Sequence, residues 1–327
     1  MDEKRSVAIK VKDLAKRFGR HEAVRGADFS VLEGEIFGFL GPNGAGKTTT
    51  INMITGLARP DKGQILYFGH DYTKDLKKAQ HLMGIVPDES NLYPELTGFE
   101  NLCFCASLYG ISKKERQKRS LALLESFGLA QAAHRRFGGY SRGMKRRLTI
   151  AAGVIHQPRI LFLDEPTSGI DIANGRNIRK LISGLKATGT TVFLTTHYIE
   201  EAQRLCDRIA FIVDGQIVRT EATSVLLRDV EGQHIIELAV AEKLRSLPEG
   251  ITEEFGNLSF DMPSSNTLRT VSESAFPLGP LVRFLEERNI SITEARSVRP
   301  SLEDVFVRIT GIESSTMNTE KEGKNQQ

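Results

Sequence analysis

A chain of 327 residues, 40% hydrophobic and 26% charged, has the make-up of an ordinary globular protein with room for two domains. Its formal net charge of +3 excludes a protein that coats a polyanion over its whole surface. Cys103, Cys105 and Cys206 supply neither a disulfide framework nor a paired zinc spacing, so Cys103-x-Cys105 reads as packing.

The N-terminus has no apolar leader, and no run approaches the ~18 apolar residues that span a bilayer, so neither a signal peptide nor membrane insertion is expected. Residues 35–40 are apolar and β-prone, and a helical pattern from Lys47 ends near Gly56 and Pro60, giving strand, glycine-rich turn, helix. A short strand is predicted at GQILYFG, and residues 97–157 read as all-helical. RILFLDEP and GTTVFLTTH have the character of parallel strands, with the helical NGRNIRKLISGLKATG between them. RIAFIVDGQIVRT carries an Asp214-Gly215 hairpin signal.

Farther on, HIIELAV, NLSFDMP and ISITEARSV read as strands, and PLVRFLEERN and SLEDVFVRITG as helices. The predicted organisation is an α/β core over 7–230 with a helical insertion at about 89–158, then a small α+β domain over 231–311. The polar, patternless residues 312–327 are expected to be disordered.

Chemistry concentrates in the first part. Gly41-Pro42-Asn43-Gly44-Ala45-Gly46-Lys47-Thr48 fits G-x-x-x-x-G-K-[ST]. Its glycines let backbone N–H groups turn inward around phosphate oxygens, Lys47 reaches the β- and γ-phosphates, and Thr48 is a Mg²⁺ ligand. ILFLDEP then delivers Asp164 and Glu165 at the end of a buried strand, Asp164 as a water-mediated Mg²⁺ ligand and Glu165 as general base. His197, closing TTVFLTTH, is a third candidate, for a γ-phosphate oxygen, although a lone histidine is more often structural.

In order, Phe18, GPNGAGKTT, IVPDESNLYPELTGFENL, YSRGMKRRL, LFLDEPTSGID and TTH resemble the nucleotide-binding subunits of ABC transporters over about residues 7–225. The resemblance implies a P-loop NTPase cassette: a parallel-sheet core, a helical subdomain and an N-terminal antiparallel β part. It makes Phe18 the adenine-stacking aromatic, residues 41–49 through Thr49 the phosphate loop, and Glu165 and His197 the base and the γ-phosphate contact. Asp88 falls at the Q-loop position, as a third Mg²⁺ ligand. Ser141, Gly143 and Met144 fall in the signature, which contacts ATP held by the opposite subunit, and Asp171 in the D-loop that crosses to it.

Three motifs depart from the family pattern, at four positions. Phe18 replaces tyrosine and keeps a stacking face. Arg142 and Met144 stand where glycine and glutamine are usual, and Asp88 replaces glutamine, adding charge near ATP and losing a donor.

YSRGMKRRL itself holds four cations in nine residues. Ser141 reads as an N-cap, with Met144, Leu148, Ala151 and Ile155 as an apolar stripe. Arg142 and Lys145 have the wrong sign for a helix N-terminus unless an anion occupies it, and Arg146 and Arg147 read as a solvated basic face. No second basic element accompanies them, so nucleic acid is not an expected partner.

PSLEDVFVRITG resembles the end of the accessory domain of ABC-2-type export ATPases, the daunorubicin-resistance and nodulation-export groups. The resemblance implies an ATPase that uses ATP and Mg²⁺, pairs with a second cassette (a homodimer favoured), and sits at the cytoplasmic face of the membrane through a separate permease. The alternative is a soluble ABC-type ATPase acting on a ribosome or nucleic-acid complex.

Overall fold

The computed structural model of the chain describes residues 6–312, so all but the first residue of the stretch expected to be disordered lies outside the described residues. Two compact units divide the chain between Ala222 and Thr223.

The first unit opens with a long antiparallel hairpin, β1 (Val7–Phe18) and β2 (His21–Leu32). The buried strand β3 (Ile36–Leu40) leads through the glycine loop into α1 (Lys47–Thr55), which stops at Gly56 with φ 79°. β4 (Lys62–Tyr67) and β5 (His70–Asp71) complete a four-stranded sheet ordered β2-β1-β4-β5.

β6 (Met83–Val86) precedes the helical insertion, formed by α2 (Gly98–Leu108), α3 (Lys113–Ser126) and α4 (Arg142–Val154). Thr97 and Glu100 close a reciprocal capping box at the start of α2, and the Ser141 hydroxyl accepts from Met144 N at the start of α4. The region predicted as all-helical thus contains three α-helices, with turns and short 3₁₀ segments over 127–141.

Then come β7 (Ile160–Asp164), α5 (Ile172–Ala187), β8 (Thr191–Thr196), α6 (Ile199–Leu205), β9 (Arg208–Val213) and β10 (Gln216–Ala222). The second sheet runs β10-β9-β3-β8-β7-β6, parallel except for the β9–β10 hairpin. Asp214 and Gly215 turn that hairpin with φ 47° and 77°, the positive pair a two-residue turn of this hand requires.

Phe29 from the first sheet meets Phe37, Phe39 and Phe193 from the second at ring separations of 5.6–5.9 Å, so one aromatic core joins the two sheets and α1. With its five strands buried between layers, the parallel sheet can present polar side chains only at their carboxyl ends, and there the functional residues gather.

The second unit begins with α7 (Thr223–Arg228) and holds β11 (His234–Val240), α8 (Ile251–Glu254), β12 (Ser259–Ser264), β13 (Thr267–Ser272), α9 (Leu278–Glu286), β14 (Ile292–Val298) and α10 (Leu302–Thr310). Its antiparallel sheet is ordered β12-β13-β11-β14. Leu238 and Leu268 on the sheet pack with Ile251, Leu281 and Leu285 from α8 and α9. An Arg269–Asp304 ion pair ties β13 to α10, whose capping box uses Ser301 and Asp304. β13, α7 and α8 are additions to the sequence reading; β13 was hidden because only Leu268 and Val271 in NTLRTVS are apolar.

Candidate active site

Backbone geometry fixes the loop between β3 and α1. A Cβ on Gly41 would lie 2.1 Å from the Ile212 carbonyl oxygen, and one on Gly46 would lie 2.4 Å from that of Ala23. Gly46 also has φ 98°, so both space and conformation require glycine there. No side chain caps α1, which leaves its first N–H groups to an anion from outside the helix.

Lys47 is buried, its Nζ 2.7 Å from the Gly41 carbonyl, 3.1 Å from that of Pro42 and 3.3 Å from Glu165 Oε1. Thr48 Oγ1 lies 3.4 Å from Asp164 Oδ1, which also accepts from the Thr195 hydroxyl. Burial pushes the Asp164 carboxyl above its ordinary range, the two threonines pull it back in part, and the neighbouring Glu165 and Asp88 carboxylates push it further up.

Glu165 sits just past β7 with φ 47°, a left-handed conformation that costs a non-glycine residue about 1–3 kcal/mol. Its N–H donates to Thr195 O and Oγ1, at 3.2 and 3.1 Å, which holds the strained residue in place. Burial works against its charge, but the hydrogen bond from His197 and the charge of Lys47 outweigh it and leave the carboxyl below its ordinary value. His197 Nδ1 donates to Glu165 Oε2 at 2.8 Å. With that proton on Nδ1, Nε2 can donate to a phosphate oxygen only in the imidazolium form.

The other candidates lie elsewhere in the same unit. Phe18 is 55% exposed at the tip of the β1–β2 hairpin, with Lys16 Nζ 5.4 Å from its ring centroid. That hairpin leans on the glycine loop through Ala23 and Val24. Pro42, Asn43 and Thr49 are half-buried, Ala45 is buried, and Asp88 is exposed.

Ser141, Gly143 and Met144 open α4 beside the N-terminus of α5, where a Cβ on Gly143 would lie 2.6 Å from Asn174 Cγ. Asp171 caps α5 by accepting from Asn174 N at 3.0 Å and from its amide group at 2.7 Å, bonds that hold its carboxyl below the ordinary range. Arg142 donates to Ser168 O at 3.3 Å and covers Gly169. Lys47, Asp164, Glu165 and His197 form a buried cluster with Thr48 at its exposed edge, whereas Ser141 and Asp171 are exposed.

Two buried residues were missed. Arg146, read as part of a solvated face, is 6% exposed. Its guanidinium donates to Pro166 O at 3.0 Å, Asp164 O at 2.5 Å, Asp88 O at 3.1 Å and Pro87 O. Arg147 is half-buried and donates to Phe127 O at 3.0 Å, so neither arginine simply faces solvent. Helical spacing held the signal: Arg146 lies one turn before Ile150, inside a buried face wider than the stripe through Leu148.

Glu201 is 3% exposed and accepts from Thr167 Oγ1 at 2.6 Å and Thr196 Oγ1 at 2.8 Å. It ties the loop after Glu165 to the residue before His197. Burial raises its carboxyl above the ordinary value despite both bonds. Nothing in the pair Glu200-Glu201 marks which one turns inward.

The donors fit a magnesium nucleotide. Thr48 and Asp164 offer hard oxygens beside a phosphate loop, and no group of three or more His, Cys, Asp or Glu side chains among the described residues could hold a metal alone. Mg²⁺ suits such a site, because it takes one or two carboxylates and fills its shell with water and phosphate oxygens.

The family model described as ABC transporter matches residues 24–168. The linearmycin resistance ATP-binding protein LnrL of Bacillus subtilis (strain 168) is 36% identical over 93% of this chain and 98% of its own length. The daunorubicin/doxorubicin resistance ATP-binding protein DrrA of Streptomyces peucetius is 36% identical over 96% of each. A solved ATP-binding subunit of an ABC transporter aligns with TM-score 0.62 and 29% identity over 68% of this chain and 92% of its own. The dimeric post-hydrolysis state of the ATP-binding cassette MJ0796, bound to ADP and Pi, aligns with TM-score 0.61 and 30% identity over 66% of this chain and 98% of its own.

Proposed function

The chain belongs to the ATP-binding, ATP-hydrolysing subunits of exporter-type ABC transporters, and from that premise we propose how its own residues carry the cycle. Two copies close head-to-tail, each covering the nucleotide on the other's glycine loop with its own Ser141, Gly143 and Met144. One observation carries this reading: Lys47, Asp164, Glu165 and His197 are buried, while Ser141 and Asp171 of the same chain are exposed. The dimeric form of a 30% identical cassette supports it.

Within each site the loop amides and Lys47 bind the β- and γ-phosphates, and Phe18 stacks on the adenine. Ionised Glu165, steadied by His197, accepts the proton of the attacking water, and His197 Nε2 contacts a γ-phosphate oxygen. Bound Mg²⁺, held by Thr48, Asp164 and Asp88, would neutralise charge on the phosphate oxygens. Asp171 faces the partner copy.

No helix among the described residues is long and apolar enough to cross a membrane. We place the protein at the cytoplasmic face of the membrane, held there by a separate permease that receives the closing motion. Resistance relatives spanning almost the whole chain favour this over a ribosome- or nucleic-acid-directed ATPase. Glu165→Gln is expected to lower kcat for ATP hydrolysis by roughly 10²–10⁴ while leaving Mg-ATP affinity in place. Full hydrolysis by that variant would remove Glu165 from the role.

A further inference from the structure

Arg146 stands apart among the cations of this chain. Its buried guanidinium joins three segments, taking carbonyls from the loop after β6 (Pro87, Asp88), from the last residue of β7 (Asp164) and from the turn beyond it (Pro166). Burial works against its charge, and the nearby acids Asp88, Asp164, Glu201 and Glu165 recover that cost only in part. A planar fork with five fixed donors suits this task, and a lysine ammonium would not span the same carbonyls.

The anchor also lies on a particular lever. Arg146 is five residues from Ser141, on the same rigid helix whose first turn forms the exposed cluster. Displacing that end of α4 therefore pulls on the backbone of Asp88 and of Asp164 together.

We propose that Arg146 is a positioning residue that sets the Asp88 loop against the end of β7, so that Asp88 and Asp164 meet the magnesium nucleotide as one unit. The inference rests on the nucleotide reading of this site and adds to it a residue that touches neither nucleotide nor metal. It also accounts for a buried arginine whose bonds all end on backbone, where it fixes positions and takes no part in chemistry.

The test is a double-mutant cycle of Arg146→Gln and Asp88→Asn in the full chain, read by binding of a fluorescent ATP analogue during Mg²⁺ titration and by kcat. Each single variant is expected to raise the Mg²⁺ concentration for half-maximal binding, by about tenfold for Arg146→Gln and about threefold for Asp88→Asn. The double variant is expected to be no worse than Arg146→Gln alone. Arg147→Gln removes the same charge from the same helix and is expected to lower Tm with no change in Mg²⁺ dependence.

Should Arg146→Gln not fold, Arg146→Lys carries the cycle, with a smaller rise and the same lack of additivity. Losses that multiply, or a Mg²⁺ dependence that moves equally in Arg147→Gln, would overturn the proposal. Wild-type protein that bound the analogue without Mg²⁺ dependence would instead fail the nucleotide reading.

Discussion

The two clusters of the cassette differ in how much of their geometry the chain settles by itself. Around Glu165 every functional group already has a partner: Lys47 and His197 on the carboxylate, Thr195 on the backbone, and Thr48 beside Asp164. Around Ser141, the Ser141 and Asp171 side chains are exposed and cap two helix ends, and Gly143 packs against Asn174. The first cluster pre-organises chemistry, where sub-ångström placement matters. On the proposed function, the second serves a target that comes from outside the chain. Substitutions should thus act on hydrolysis in the buried cluster and on assembly in the open one.

The largest effect expected is at Gly46. Gly46→Ala would bring a methyl group into the Ala23 carbonyl in a left-handed backbone. ATP binding is expected to be lost, and thermal unfolding should report destabilisation of at least about 1–3 kcal/mol. Retained binding at wild-type affinity would mean that the loop is not the phosphate site.

Glu201→Gln sharpens the contrast from the buried side. The folded carboxyl is raised above its ordinary value of 4.5, so ionising it costs stability, and that cost grows as pH rises from 4.5 through the folded pKa. Glutamine does not ionise. The variant's Tm is expected to gain on wild type as pH increases, while kcat falls about tenfold because the link from Thr167 to Thr196 weakens. A Tm difference that is flat with pH would place the charge elsewhere.

Asp171→Ala should show the smallest change in the isolated chain. Loss of this N-cap costs about 0.5–2 kcal/mol in stability, and monomeric ATP binding should be unaffected. ATP-driven association is where it should matter, if the open cluster faces a partner.

How much of this was legible follows the same division by distance along the chain. The glycine loop, Asp164 with Glu165 and the Asp214-Gly215 turn declare themselves because their chemistry is written in consecutive residues. Arg146 and Glu201 do not, because their partners lie up to 59 residues away and only folding decides which side of a helix is buried. The α/β core with its helical insertion could be read from apolar runs, and the N-terminal antiparallel part only from the family resemblance. By contrast, β13 needed pairing with β11 to show that a mostly polar segment is a central strand.

Closing of two copies over shared nucleotides is tested by the solution mass of Glu165→Gln protein with and without Mg-ATP, measured by light scattering. A shift from monomer to dimer is expected on adding Mg-ATP, abolished when Ser141→Arg is added to the same chain. A protein that binds Mg-ATP and stays monomeric would contradict the closing of two copies over shared nucleotides.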